Sequence, residues 1–188
     1  MMYVSKGILC KRKRRQWILI RQYDCLIKLF GEEAAAWEKG RLGFAYTHHR
    51  GEINVIQNLM KKGLVAIESG ESEIDKYNLL RHCSIYSNPK FQFCFKFFNK
   101  TEKRILRWIK KAGTYLSCSE LVALEDKGIK PQAELLYKDN VVKLMKILNP
   151  ALVSISGDME SRMRYSIYRQ STVNAVMTLL RRKRVIII

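Results

Sequence analysis

The stretch from Gly31 to Glu68 constrains this chain more than any other. It opens with Gly-Glu-Glu-Ala-Ala-Ala-Trp, directly after an apolar strand-like run from Cys25 to Phe30. Two carboxylates in a first turn complement the positive end of a helix dipole, and alanine is the strongest helix former. The pattern predicts a helix with Trp37 turned inward and Gly40 and Gly43 at its end. Ile53, Ile56, Leu59 and Met60 then recur at helical spacing. Lys61 and Lys62 suit a helix C-terminus, and Gly63 suits a left-handed cap. Leu64-Val65-Ala66-Ile67 follows at once as a strand, with Val65 and Ile67 on one side. Strand, helix, helix, strand in so short a space makes a small α+β unit. Arg41 to Gly51 reads as a loop or a short helix.

Upstream, Tyr3 to Leu9 and Trp17 to Tyr23 read as two strands, with Lys11, Arg12, Lys13, Arg14 and Arg15 in the turn between them. Five adjacent like charges repel and need solvent or an anionic partner. Downstream, the Gly-containing, acidic stretch Ser69 to Ser72 reads as a boundary. Asp75 to Ser84 reads as a short helix and Asn88-Pro89 as a turn. Phe91, Phe93, Phe95 and Phe97 alternate, which predicts a strand with an aromatic face. Such a stripe is read first as core, although aromatics beside basic residues also stack on bases.

A second helical region follows. Thr101 to Lys111 brings Ile105, Leu106, Trp108 and Ile109 to one face, and Gly113 ends it. Ser117-Cys118-Ser119-Glu120 has the form of a capping box, opening a helix with Leu121, Val122 and Leu124. That helix ends at Gly128, with Pro131 beyond. Asp139 or Asn140 is placed to cap a third helix through Val142, Leu144, Met145 and Leu148, stopped by Pro150. Leu152 to Ile155 and Met163 to Tyr168 read as paired strands around Gly157-Asp158. Ser171 is placed to cap a last helix, Thr172 to Arg181, before a strand Val185 to Ile188. The expected organisation is a domain over 1–72, a connecting helix and aromatic strand over 73–98, and a second small α/β domain over 99–188. The halves suggest a shared architecture, without a sequence repeat between them.

The 188 residues carry 35 Lys and Arg against 17 Asp and Glu, a net charge of +18 spread along the chain. Such a field favours anionic partners and makes their binding salt-sensitive. No signal-peptide pattern opens the sequence, and Val185-Ile186-Ile187-Ile188 is far too short to span a membrane. A cytoplasmic location is expected, and five irregularly spaced cysteines suit reduced thiols. The histidines are His48, His49 and His82. An adjacent pair points its side chains apart and chelates poorly. There is no Cys-x-x-Cys, no Walker loop, no dinucleotide glycine fingerprint and no Gly-x-Ser-x-Gly elbow. The expectation is a binding protein rather than an enzyme, with no cofactor and no metal.

The order of elements resembles winged-helix domains, and Val4 to Ile67 resembles the PqqD-like family of peptide chaperones. These are recognition elements for ribosomally made, modified peptides. The resemblance rests on Ser5-Lys6-Gly7-Ile8, on Leu29-Phe30-Gly31-Glu32-Glu33-Ala34-Ala35-Ala36-Trp37, and on Ile56 to Val65 with its Lys62-Gly63-Leu64-Val65 ending. It covers about a third of the chain. The family usually places a full middle helix where only Glu38 to Glu52 stands here. The resemblance implies a winged-helix-like N-terminal domain that holds a precursor's leader peptide as an added strand and presents it to a maturation enzyme, often a radical enzyme. The implied groove lies between Leu26, Lys28 and Phe30 on the strand and Ile53, Gln57, Met60 and Lys61 on the last helix. Lys28, Lys61 and Lys62 would meet acidic leader residues.

The second half suits another winged-helix-like unit, and with it the alternative of a tandem DNA-binding regulator. Lys11, Arg12, Lys13, Arg14 and Arg15, Lys143 and Lys146, and Arg181 and Arg182 would then contact phosphates of duplex DNA. Asn54, Gln57 and Asn58 would read bases from the first half.

Overall fold

The computed structural model describes residues 1–13, 16–81, 83–88, 97–112, 116–126, 129–131 and 168–188. Among the described residues the chain is a mixed α+β fold of six helices and three small antiparallel sheets. In order these are β1 (Met2–Ser5), β2 (Ile8–Lys13), β3 (Trp17–Gln22), β4 (Cys25–Phe30), α1 (Gly31–Gly40), β5 (Ala45–Tyr46), α2 (Arg50–Lys61) and β6 (Val65–Glu68). There follow α3 (Glu73–Leu80), β7 (Ser84–Ser87), α4 (Lys100–Ala112), β8 (Leu116–Ser117), α5 (Cys118–Asp126), α6 (Tyr168–Arg181) and β9 (Val185–Ile187). The sheets run β5-β1-β6, β2-β3-β4 and β8-β7-β9.

The expected single strand from Tyr3 to Leu9 is two strands in two different sheets. Gly7 has φ of 104°, a conformation open to glycine and strained for other residues. The chain turns there, so β1 joins β5 and β6 while β2 leaves to pair with β3. Lys11, Arg12 and Lys13 consequently lie in β2 rather than in a turn, opposite Leu19, Ile18 and Trp17. Gln16 donates its backbone N–H to Lys13 O at 3.0 Å. A β-ladder satisfies the backbone while leaving alternate charged side chains in water.

Strand β1 is buried along its whole length. Its faces serve two cores, as the period-two geometry of a strand requires. Tyr3 enters a smaller core with Ile18, Ile20, Leu29, Trp37, Ile56, Leu59 and Leu64. Met2 and Val4 enter a larger core built by α3, α4, α5, α6, β7 and β9. On β6, Val65 and Ile67 join Tyr3's side while Ala66 packs on the other. Tyr3 OH donates to Ala36 O at 2.9 Å and Ser5 Oγ donates to Trp37 O at 2.7 Å, so β1 side chains serve carbonyls in α1's C-terminal half. Burial, then the charge of Glu52, pushes the Tyr3 hydroxyl up to about 12.

The helix signals are realised with shifted ends. α3 begins at Glu73 under a capping box of Ser72 and Asp75, and it stops at Leu80, so Ser84 belongs to β7. Ser117 and Glu120 form the expected box: Glu120 N donates to Ser117 Oγ at 3.2 Å and Ser117 N to a Glu120 carboxylate oxygen at 2.7 Å. Asn99 and Glu102 make an equivalent exchange ahead of α4. Ser171 does not cap α6, because that helix starts at Tyr168 and continues through Ser171. There α6 packs against α3, α4 and α5, which prolongs the helix beyond the local cap signal. Phe97 is 80% exposed while Phe98 is buried. The remaining Phe91–Phe95 stripe, the helix over 139–148, the strand over 152–155 and residues 163–167 of its expected partner lie outside the described residues, and Tyr168, the expected end of that partner, belongs to α6 instead.

The sheets reveal a repeat that the sequence does not show. Tyr3 of β1 pairs with Ala45 and Ile67, and Ile85 of β7 pairs with Leu116 and Ile187. Lys6 N donates to Leu64 O at 2.8 Å, and Asn88 N donates to Arg184 O at 2.9 Å. With the strands matched in this way, Trp37 of α1 corresponds to Trp108 of α4, both fully buried, one before each short strand β5 and β8. Ile56 and Leu59 of α2 correspond to Val176 and Leu179 of α6, again all buried. Each unit is a central strand, a Trp helix, a short strand, a second helix and a last strand. The first unit carries β2, β3 and β4 between its central strand and its Trp helix. The second carries α5 and residues 127–167 between its short strand and its second helix.

Candidate functional site

Strand β4 places its side chains alternately. Leu29 is fully buried in the smaller core, and Ile27 packs against that core. Leu26, Lys28 and Phe30 face outward, with Leu26 62% and Phe30 56% exposed. The β3–β4 register sets Arg21 opposite Leu26, Leu19 opposite Lys28 and Trp17 opposite Phe30 on the same outer face. Lys28 Nζ lies 4.4 Å from the Trp17 ring centroid and 5.2 Å from that of Phe30. This is cation–π range, in which the ring faces attract the ammonium. The outer face thus presents an aromatic and cationic end at Trp17, Lys28 and Phe30, and an aliphatic end at Leu26.

On α2, Gln57, Met60 and Lys61 are exposed and Ile53 is half-buried. No hydrogen bond or ion pair joins these four to Leu26, Lys28 or Phe30 among the described residues. Ile56 and Leu59 of α2 meet Leu29 in the common core instead. Lys62 is ion-paired to Glu33 at 2.5 Å, and Gln22 Nε2 donates to Gly63 O at 3.3 Å. Lys62 is therefore tied to α1, not presented freely as the sequence suggested.

A hollow of about 330 Å³ opens at the Trp17 end of the sheet. It is lined by Arg12, Lys13 and Trp17 on one side and by Gly31, Ala34 and Ala35 on the other. The small side chains that make α1 a strong helix also leave this space unfilled. Arg12 Nη1 pairs with Glu38 at 3.2 Å across its end. Trp17 was not among the expected site residues, and its place opposite Phe30 follows only from the strand register.

The cationic candidates divide. Lys11 and Lys13 are exposed on β2. Arg182 is held: its Nη1 donates to Phe97 O at 2.8 Å, lies 3.7 Å from Glu102, and its guanidinium sits over the Phe98 ring. Arg181 is exposed at the end of α6. Arg14, Arg15, Lys143 and Lys146 lie outside the described residues.

Among the described residues no three His, Cys, Asp or Glu groups are placed to hold a metal ion. Cys10, Cys25, Cys83 and Cys118 are free thiols, and burial pushes Cys83 up to about 11. No described helix is long and apolar enough to cross a membrane. No family model, curated protein or solved structure matches this chain.

Proposed function

We propose that this chain is a non-catalytic binding protein that takes the leader of a precursor peptide as an added strand on β4 and presents it to a maturation enzyme. The observation that carries this reading is the state of β4. Among the described residues it pairs with β3 alone, and it shows Leu26, Lys28 and Phe30 on its open face. Backbone pairing to a free edge supplies affinity, and alternate side chains supply selectivity. The PqqD-like resemblance of Val4 to Ile67 assigns the same strand to the same task, on a winged-helix-like N-terminal unit. The test is fluorescence anisotropy with the leader of a neighbouring small peptide gene, at two salt concentrations. Saturable binding that survives moderate salt and falls on Leu26→Asp supports the proposal. Leu26 suits the substitution because it is exposed, whereas Leu29 is fully buried. No leader binding, or binding indifferent to Leu26→Asp, overturns it.

A second reading, a tandem winged-helix regulator on duplex DNA, draws on the repeat. Lys61-Lys62 and Arg181-Arg182 end the second helix of each unit at matching places, and Asn54, Gln57 and Asn58 are exposed on α2. Together with the charge of +18 this suits phosphate contacts. The same assay decides: tight duplex binding with a steep salt dependence and no leader binding favours the regulator.

A further inference from the structure

The two units meet along a cleft of about 520 Å³ between the edges of β2 and β9. Each strand ends its sheet among the described residues. Gly7 N donates to Ile187 O at 2.7 Å and closes one end. The phase of β9 follows from its hydrogen bonds. Ser84 and Ile188 exchange both backbone bonds, at 3.0 and 2.8 Å, and Asn88 N donates to Arg184 O. Ile186, Ile188 and the carbonyl of Arg184 therefore face β7, and Val185 and Ile187 turn their amide groups away. Apart from the Gly7 bond, those outward groups have no backbone partner among the described residues.

The cleft is cationic. Arg21, Arg41 and Lys183 line it, and no lining residue among the described residues is acidic. None of the three side chains has a hydrogen bond or ion pair among the described residues. Arg41 is half-buried, and the one carboxylate that bears on it, Glu38, is engaged by Arg12. Burial is the main influence on Arg41 and lowers its pKa, so a bound anion would relieve it. Lys183 holds φ of 56° at the position where the first unit has Gly63. A charged side chain is thus kept where the backbone favours glycine, and strain of this kind concentrates at functional places. The walls are aliphatic, with Ile8, Leu180 and Ile187 among them.

We propose that this cleft binds an acidic peptide segment in extended form, added as a strand along β9 with its carboxylates on Arg21, Arg41 and Lys183. Open amides in strand phase and aliphatic walls suit a peptide. Among the described residues no aromatic ring lines the cleft on which nucleic-acid bases would stack. The proposal stands apart from the role of β4, since it uses other strands and other residues.

The test uses the full chain and a fluorescein-labelled peptide alternating Asp and Val, about six residues or roughly 20 Å when extended. A Lys/Val peptide and a single-stranded DNA of equal charge to the acidic peptide serve as controls. Saturable binding of the acidic peptide alone is expected, weakened about tenfold by Arg41→Ala or Arg21→Ala and unchanged by Phe30→Ser at the far end of β4. Lys183→Gly should weaken binding while raising Tm, a combination that a merely structural lysine would not give. The proposal is overturned if the acidic peptide does not bind, if Lys183→Gly and Arg41→Ala both leave its affinity unchanged, or if the DNA binds more tightly.

Discussion

Gly63 and Lys183 occupy the same position in two copies of one helix-to-strand turn. Both have left-handed backbones, with φ of 72° and 56°. Gly63 N donates to Met60 O and Leu64 N to Leu59 O; Lys183 N donates to Leu180 O and Arg184 N to Leu179 O. The turn closes each second helix in the same way and delivers the chain into the last strand.

The first prediction follows from that pair. A side chain in the left-handed region costs about 1–2 kcal/mol, while glycine gives back part of this through the freer unfolded chain. Lys183→Gly should stabilise by about 0.5–1 kcal/mol and Gly63→Ala should destabilise by about 1 kcal/mol. Urea denaturation of the two variants checks this; equal signs would contradict it.

The equivalent tryptophans should differ in their tolerance of phenylalanine. Trp37 Nε1 donates to Lys6 O at 2.9 Å. Trp108 Nε1 is buried without a hydrogen-bond partner among the described residues. Both changes remove volume from a core, but Trp37→Phe also orphans a carbonyl, which costs about 1–3 kcal/mol more. Trp37→Phe should therefore be the more destabilising of the two in a thermal melt.

Arg104 and Glu125 predict a dependence on pH. Arg104 Nη1 sits 2.5 Å from the nearly buried Glu125 carboxylate. Desolvation raises the Glu125 pKa, and Arg104 opposes the rise. A carboxyl whose folded pKa exceeds its unfolded value favours folding at low pH, and that contribution is lost as pH rises through the folded value. Arg104→Met should remove the opposing charge and destabilise by about 2 kcal/mol at pH 7. The deficit should shrink as pH falls toward the unfolded carboxylate range, because a neutral Glu125 needs no cation. Denaturation at pH 7 and pH 5 gives the comparison; a deficit independent of pH would refute it.

Lys28 and Lys62 separate binding from stability. Lys62→Gln breaks the ion pair with Glu33 at 2.5 Å, a partly exposed pair worth about 0.5 kcal/mol. Lys28→Gln loses only the exposed stack on Trp17 and Phe30. Lys28→Gln should weaken the leader on β4 several-fold with Tm nearly unchanged, and Lys62→Gln should leave leader affinity as it was. Anisotropy beside a thermal melt reads both.

Much of the local structure was legible in the chain. The carboxylates and alanines after Phe30 and the Gly63 stop marked α1 and β6 to within about a residue, whereas α2 begins three residues ahead of Ile53, at Arg50, and the stretch read as loop or short helix before it holds the short strand β5. Ser117 and Glu120 announced α5. These signals are local: a cap, a dipole and an apolar stripe act within a few residues. The site was only half legible. The PqqD-like resemblance pointed to Leu26, Lys28 and Phe30, but nothing in the sequence told that Trp17 would lie under Lys28 or that Glu33 would take Lys62.

By itself, then, the sequence determined which segments become helix and strand, through propensity, capping and period. The tertiary structure decided what the strands join. Gly7 turns the chain so that β1 becomes a wall between two cores while β2 leaves for another sheet. The correspondence of Trp37 with Trp108, and of Gly63 with Lys183, was hidden because each unit carries its insertion at a different place. No one offset along the chain aligns both pairs. Hydrogen-bond register does align them, because a ladder fixes which residues face each other whatever length of chain runs between.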